Sequence, residues 1–286
     1  MLAEGKIYCK YLRMHLLSGM EYKGWWLMLI QVLTVVISDP IATVLLFSRF
    51  GNIGEWTVAH IILVYSLAVA SFGLAESVCR GFDYFPWHLL RSGDFDRLLL
   101  RPRSLFVQVA ASRFHLHRLV RPFTGICAAG WALGQLDVPL TPGRLGILAM
   151  ALAGGCLMYC GVFVLTSGLA FFTIKGLDWI FLLTNASYQI TRCPEPYLPR
   201  MLKSVFSFVL PMLFISFYPA ATVCGWDYPR WLGFLSLPSG AAFLGVSLLV
   251  WRIGVRHYKA RGADKTSGNE CHPLKGRHSF QREIEG

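Results

Sequence analysis

Six windows of this chain are apolar over about the 20 residues that a helix needs to cross a bilayer core. They are Trp25–Phe47, Thr57–Val78, Leu119–Leu136, Leu145–Phe172, Leu202–Tyr218 and Leu235–Ile253. The basic residues between them test that count independently. Of 27 Lys and Arg residues, only Arg49, Arg144 and Arg230 fall in the loops that would lie outside. All the others lie in, or at the helix ends of, the segments that would face the cytosol. An asymmetry of this kind is what the positive-inside rule gives for six crossings with both termini cytosolic. The fold class predicted is therefore an all-α membrane protein with six transmembrane helices. Composition agrees, since only 15% of residues are charged where a soluble domain carries about 25%.

The net charge of +11 raises nucleic acid as a partner. The spread of basic residues over four loops on one membrane face excludes it, and points to membrane lipids instead. The eight cysteines have no paired spacing, so they predict neither a disulfide framework nor a zinc site.

The first long apolar run begins near Trp25 and no small-residue cleavage pattern follows it, so residues 1–24 are expected to be retained. On a helical projection Lys6, Lys10 and Arg13 share one face, opposite Ile7, Tyr8, Tyr11 and Met14. That is the pattern of an amphipathic helix in the headgroup layer; a flexible basic leader is the plain alternative. Residues 25–262 are expected to form one membrane domain, and residues 263–286 turn polar and are expected to be a disordered cytosolic tail.

Within the first window Asp39 precedes Pro40. A carboxylate at mid-bilayer costs about 2.5–3.5 kcal/mol, so it should face protein or water. The pair reads either as a hinge lining a translocation path or as the outer end of a helix followed by a re-entrant stretch. Glu76 and Arg80, four apart, can pair at the cytosolic end of the second window. Small residues at Gly130, Gly134, Gly154, Gly155, Cys156, Cys160, Gly161 and Gly168 allow close helix approach, within the subunit or against a second one. Leu177–Ile190 is read as an amphipathic helix on the cytosolic surface. Trp226, Tyr228 and Trp231 fit an aromatic belt at the opposite headgroup level.

Chemical motifs are missing. The chain has no GxxxxGK[ST] phosphate loop and no HExxH, so neither ATP hydrolysis of that type nor a membrane zinc protease is supported. His115 and His117, two apart, lie on different faces of a helix and do not suggest a metal site. Asp39 is the one deep carboxylate, which disfavours a proton-coupled carrier. No catalytic residues, metal ligands or bound cofactors are assigned, and the energy for any transport must come from elsewhere.

The charged segment 80–103, RGFDYFPWHLLRSGDFDRLLLRPR, stands out against this background. Pro86 suits a first helical turn, Gly93 a stop, and Asp94 the cap of a second short helix that must end before Pro102. Phe95, Leu98 and Leu99 then form a small apolar face rimmed by Asp94, Asp96, Arg97 and Arg101. Such a knob suits a groove on another protein, or alternatively anionic lipid.

Five stretches resemble one family. They are FGLAES (Phe72–Ser77), RSGDFDRLLLRP (Arg91–Pro102), ASRF (Ala111–Phe114), VLPMLFISFYPA (Val209–Ala220) and WRIGVRHYKARG (Trp251–Gly262). In order and spacing they are similar to permeases of the second, ABC-2, class of ATP-binding-cassette exporters, in particular a bacterial six-span subgroup. The resemblance implies an interface helix, a coupling helix between spans two and three, and a location in the bacterial cytoplasmic membrane. It implies partner ATPase subunits that hold ATP and magnesium, and a second permease subunit, either a paralogue or a copy. Carried onto this sequence, the coupling residues are Arg91, Asp94, Phe95, Asp96, Arg97, Leu98, Leu99 and Arg101. The function expected is export of a drug, antimicrobial, lipid or polymer; a non-transporting scaffold or sensor is the alternative. Asp39 and the tail have no counterpart in the family pattern.

Overall fold

The computed structural model describes residues 14, 25–50, 56–101, 104–112, 116–173, 184–189, 199–204, 206–207 and 210–269. The proposed interface helix (Met14 apart), the side chain of Asp39 and residues 270–286 lie outside the described residues. What is described is helical, with no strand among the described residues.

The main helices are α1 (Trp25–Phe50), α2 (Val58–Phe85), α3 (Phe95–Leu99), α4 (Leu105–Ala110), α5 (Val120–Gln135) and α6 (Pro142–Ala170). They are followed by α7 (Arg200–Ser204), α8 (Phe217–Cys224), α9 (Trp231–Phe234) and α10 (Ser236–Asn269). Apolar on all sides, α2 takes the centre. Leu63, Val64, Ala68, Val69, Ala75, Phe82 and Phe85 are fully enclosed along its length. α5 and α6 flank it, and α10 packs along α6.

The α6–α10 contact depends on glycine. A Cβ on Gly240 would run into the Gly154 carbonyl oxygen, and one on Gly154 into the Ser236 carbonyl. The two backbones therefore touch directly, as small residues permit between membrane helices. Gly130 and Gly134 of α5 instead face open space.

Among the described residues three helical stretches are long and apolar enough to cross a membrane: Val58–Leu90, Pro142–Ala170 and Ser236–Tyr258. Trp26–Ala42 and Met212–Cys224 are shorter apolar runs. α5, at 16 residues, is about 24 Å long. Pro40 lies inside α1, which continues to Phe50, so the helix-end reading of Asp39-Pro40 does not hold.

The fifth window is not one helix. α7 stops at Ser204, Pro211 takes ψ 55°, and a 3-10 turn at Met212–Phe214 leads to α8. Proline has no N–H with which to carry the helix through this point. Of the surface helix expected over Leu177–Ile190 only 184–189 is described; it is helical, with Thr184 and Ser187 buried, the Tyr188 ring 4.4 Å from that of Phe72, and Asn185 and Gln189 exposed.

At one end of the bundle Trp56, His60, Phe217, Trp226 and Tyr228 pack on one another, with Trp56 and Trp226 4.6 Å apart. Trp226 and Tyr228 therefore turn inward, and only Trp231 keeps the exposure, 61%, of a belt residue. A second aromatic cluster closes the opposite end around Phe82, Phe85, Phe95, Phe171 and Trp251.

Candidate functional site

The charged segment lies at the Phe95 end. Helix α2 passes directly into a π-turn over Pro86–Leu90, closed by the Arg91 N–H on the Pro86 carbonyl at 3.2 Å. Gly93, at φ +79°, reverses the chain in a conformation that glycine adopts without steric cost. α3 follows and ends at Leu99, ahead of Pro102.

Asp94 does not cap α3. Its carboxylate accepts the Ser92 hydroxyl at 2.9 Å and pairs with Arg97 at 3.4 Å. The turn before the helix is thus held by these side chains together with the Gly93 N–H on the Leu90 carbonyl at 3.4 Å.

The apolar face of α3 points inward, not outward. Phe95 is fully enclosed, its ring 5.2 Å from Phe85, 5.4 Å from Phe171 and 5.2 Å from Tyr258. Leu98 and Leu99 are half-buried against the same cluster. Burying a phenylalanine contributes about 1.5–3 kcal/mol, so these residues seat the short helix on its own bundle. Residues presented outward are Arg91, Asp96, Arg97, Leu100 and Arg101, and Leu100 is 86% exposed. Spacing alone shows that three apolar residues share a face. It does not show that a nearby aromatic pocket fills that face from within.

Asp96 is exposed but not free. The Tyr258 hydroxyl of α10 donates to its Oδ1 at 3.0 Å.

The second feature is a buried ionic hub. Glu76, 5% exposed, accepts Arg118 Nη1 on Oε1 and Arg121 Nη1 on Oε2, each at 2.9 Å. Arg80 reaches Glu76 at 3.3 Å and Asp83 at 3.2 Å. The expected Glu76–Arg80 pair is thus present, but it is the smaller part of the arrangement. Both shorter bonds come from the start of the α5 region and tie it to α2. Arg80 and Arg118 also lie over the Tyr84 ring, and Arg121 over Phe72. The rule for residues four apart sees only one helix, so Arg118 and Arg121 went unassigned as partners. The available signal was a lone acid, Glu76, in an apolar run with basic residues at the mouth of the next.

Between these features lies a cleft of about 370 Å³ lined by Gly81, Tyr84, His88, Leu89, Asp94 and Ser112. Among the described residues no group of His, Cys, Asp or Glu is placed to hold a metal ion. The arrangement is a charged outer arc beside a short helix, bonded to α10 through Asp96 and Tyr258, with the ionic contact between α2 and the start of α5 across the cleft.

Comparison with known families gives one result. The family described as ABC-2 family transporter protein matches residues 33–262. No curated protein and no solved structure matches the chain.

Proposed function

The chain is a member of the ABC-2 family of transporter proteins, and we propose that it is the permease subunit of an exporter driven by separate ATPase subunits. An ABC-2 family chain with no phosphate loop of its own would draw on such a partner for ATP hydrolysis. In this reading the chain crosses the bacterial cytoplasmic membrane six times with both termini cytosolic, as the loop charges favour. ATP and magnesium belong to the partner chains, and a second permease subunit completes the assembly. The cargo is a drug, antimicrobial, lipid or polymer.

The observation that carries the reading is the outward arc of the 91–101 segment. It projects from the α2–α4 connection with Arg91, Arg97, Leu100 and Arg101 exposed on a helix whose inner face is already filled. Leu100, a large apolar side chain flanked by arginines, is the peg that a groove on the ATPase would take. Arg91, Asp94, Asp96, Arg97 and Arg101 surround it, while Phe95, Leu98 and Leu99 support it from beneath.

Co-purification of the ATPase tests this. Leu100→Asp and Arg97→Glu should abolish capture of the ATPase while the permease stays folded in detergent. Full capture by both variants would remove the coupling assignment. Vesicles containing the whole complex separate transport from a scaffold role, because a scaffold moves no cargo on addition of ATP.

A further inference from the structure

Two contacts of different character lie near the 91–101 segment, whose Phe95 is itself packed on Phe85 and Phe171. Toward α5 lies the Glu76 hub, four further charges converging around a carboxylate that is 5% exposed. Buried ion groups of this kind do not exchange partners readily, since each departure leaves an uncompensated charge. Toward α10 lies a much lighter clasp. The Phe95 ring meets Tyr258 edge-on at 5.2 Å, and in the next residue Asp96 accepts the Tyr258 hydroxyl at 3.0 Å. Two consecutive residues of α3 therefore grip one side chain of α10.

The position of Tyr258 on its helix matters. Seven residues earlier on the same face, Trp251 is 4% exposed and lies against Phe82, Phe85 and Phe171. Between them lies Gly254, where a Cβ would run into the Phe171 ring and the Gly168 carbonyl. Displacement of α3 can therefore reach α10 through Tyr258, and the end of α6 through Phe171.

We propose that Tyr258 is the positioning residue through which movement of the 91–101 segment is delivered to α10, while the Glu76 hub holds α2 and α5 together as one body. The proposal rests on the permease reading above. It assigns a direction to the coupling, namely that the closing helix moves with the segment.

The test uses the full chain with its ATPase in lipid nanodiscs, with nitroxide labels at the exposed positions Ser92 and Arg256. Distances are read without nucleotide and after trapping with ATP and vanadate. In the unmodified chain the Ser92–Arg256 distance should stay constant between the two states, because both sites move as one body. In Tyr258→Phe, which keeps the ring and loses the hydroxyl, a nucleotide-dependent change in that distance should appear, with ATPase capture unaltered. Asp96→Ala, scored on the Ser92–Arg256 distance alone because Asp96 also belongs to the outward arc, should show the same change, and the double variant should be no worse than either single one, since both remove the same bond. A distance that stays constant in both variants, or one that already changes in the unmodified chain, would overturn the clasp. Absence of any ATPase on the unmodified chain is a separate result: it removes the permease reading, and the clasp falls with it.

Discussion

Ser167 of α6 donates its hydroxyl hydrogen to the backbone carbonyl of Phe82 in α2. That carbonyl is the one which the N–H of residue 86 would normally satisfy, and residue 86 is proline. The missing helical donor is thus replaced from a neighbouring helix. α2 can then run through Phe85 into the π-turn without a buried acceptor left unpaired. Ser167→Ala should cost about 1–3 kcal/mol through the orphaned carbonyl. In a Pro86→Ala background, where the N–H returns, the same change should cost clearly less. Thermal unfolding of the four proteins in detergent measures the difference, and an equal cost in both backgrounds would refute the compensation.

Glu76→Gln should be the most damaging conservative change in the bundle. It leaves three arginines, each no more than 21% exposed, sharing the single carboxylate of Asp83. Breaking a buried ionic group costs about 3–5 kcal/mol. Removing one arginine as well, as in Glu76→Gln with Arg118→Met, should recover part of the loss. Expression yield and melting temperature report both effects, and a neutral Glu76→Gln would show that the hub contributes nothing to stability.

Gly240→Ala and Gly130→Ala should differ in sign. The first places a methyl against the Gly154 carbonyl, a backbone atom that cannot turn aside, and overpacking of this kind costs about 1–3 kcal/mol. The second meets no atom within 4 Å and improves helix propensity, by up to about 1 kcal/mol. Paired melting curves decide it; equal effects would mean that α6 and α10 are not in backbone contact.

Phe95→Ala should destabilise by about 3–5 kcal/mol, as expected for emptying a fully enclosed aromatic site. Leu100→Ala, at an 86% exposed position, should stay within about 0.5 kcal/mol. The contrast separates the inner face of α3 from its outer one, and chemical denaturation of the purified chain reads it directly.

Much of the layout was legible in the sequence, and the failures have identifiable causes. Apolar windows found the starts of α1, α2, α6 and α10 to within a few residues, because those helices are apolar over several continuous turns. The end of α2 was missed. A window stops at the first cluster of charges, whereas Glu76, Arg80 and Asp83 are paired and buried, so the helix runs on to Phe85. The fifth window failed at Pro211, whose effect on the backbone is local and does not lower the average hydropathy. The 91–101 segment was recognised as a short turn-and-helix unit from Gly93, Asp94 and Pro102. Its orientation was not, because the pocket for Phe95 is assembled from Phe85, Phe171 and Tyr258, residues up to 163 positions away in the chain. Periodicity describes which side chains share a face. It carries no information about what that face meets.

The unbroken stretch from Val58 to Leu90 comprises 33 residues, a rod of about 50 Å. The hydrocarbon core of a bilayer is about 30 Å thick, so about 20 Å of the rod stands clear of the lipid tails. A stiff body of that length also magnifies rotation. A tilt of about 5° about its Trp56 end sweeps the Leu90 end sideways by about 4 Å, comparable with one helical turn of 5.4 Å. Because Ser167 closes the gap at Pro86, the rod lacks the soft joint that a proline would otherwise leave there. Small angular changes at one surface of the membrane can thus arrive at the other as displacements large enough for neighbouring side chains to change partners.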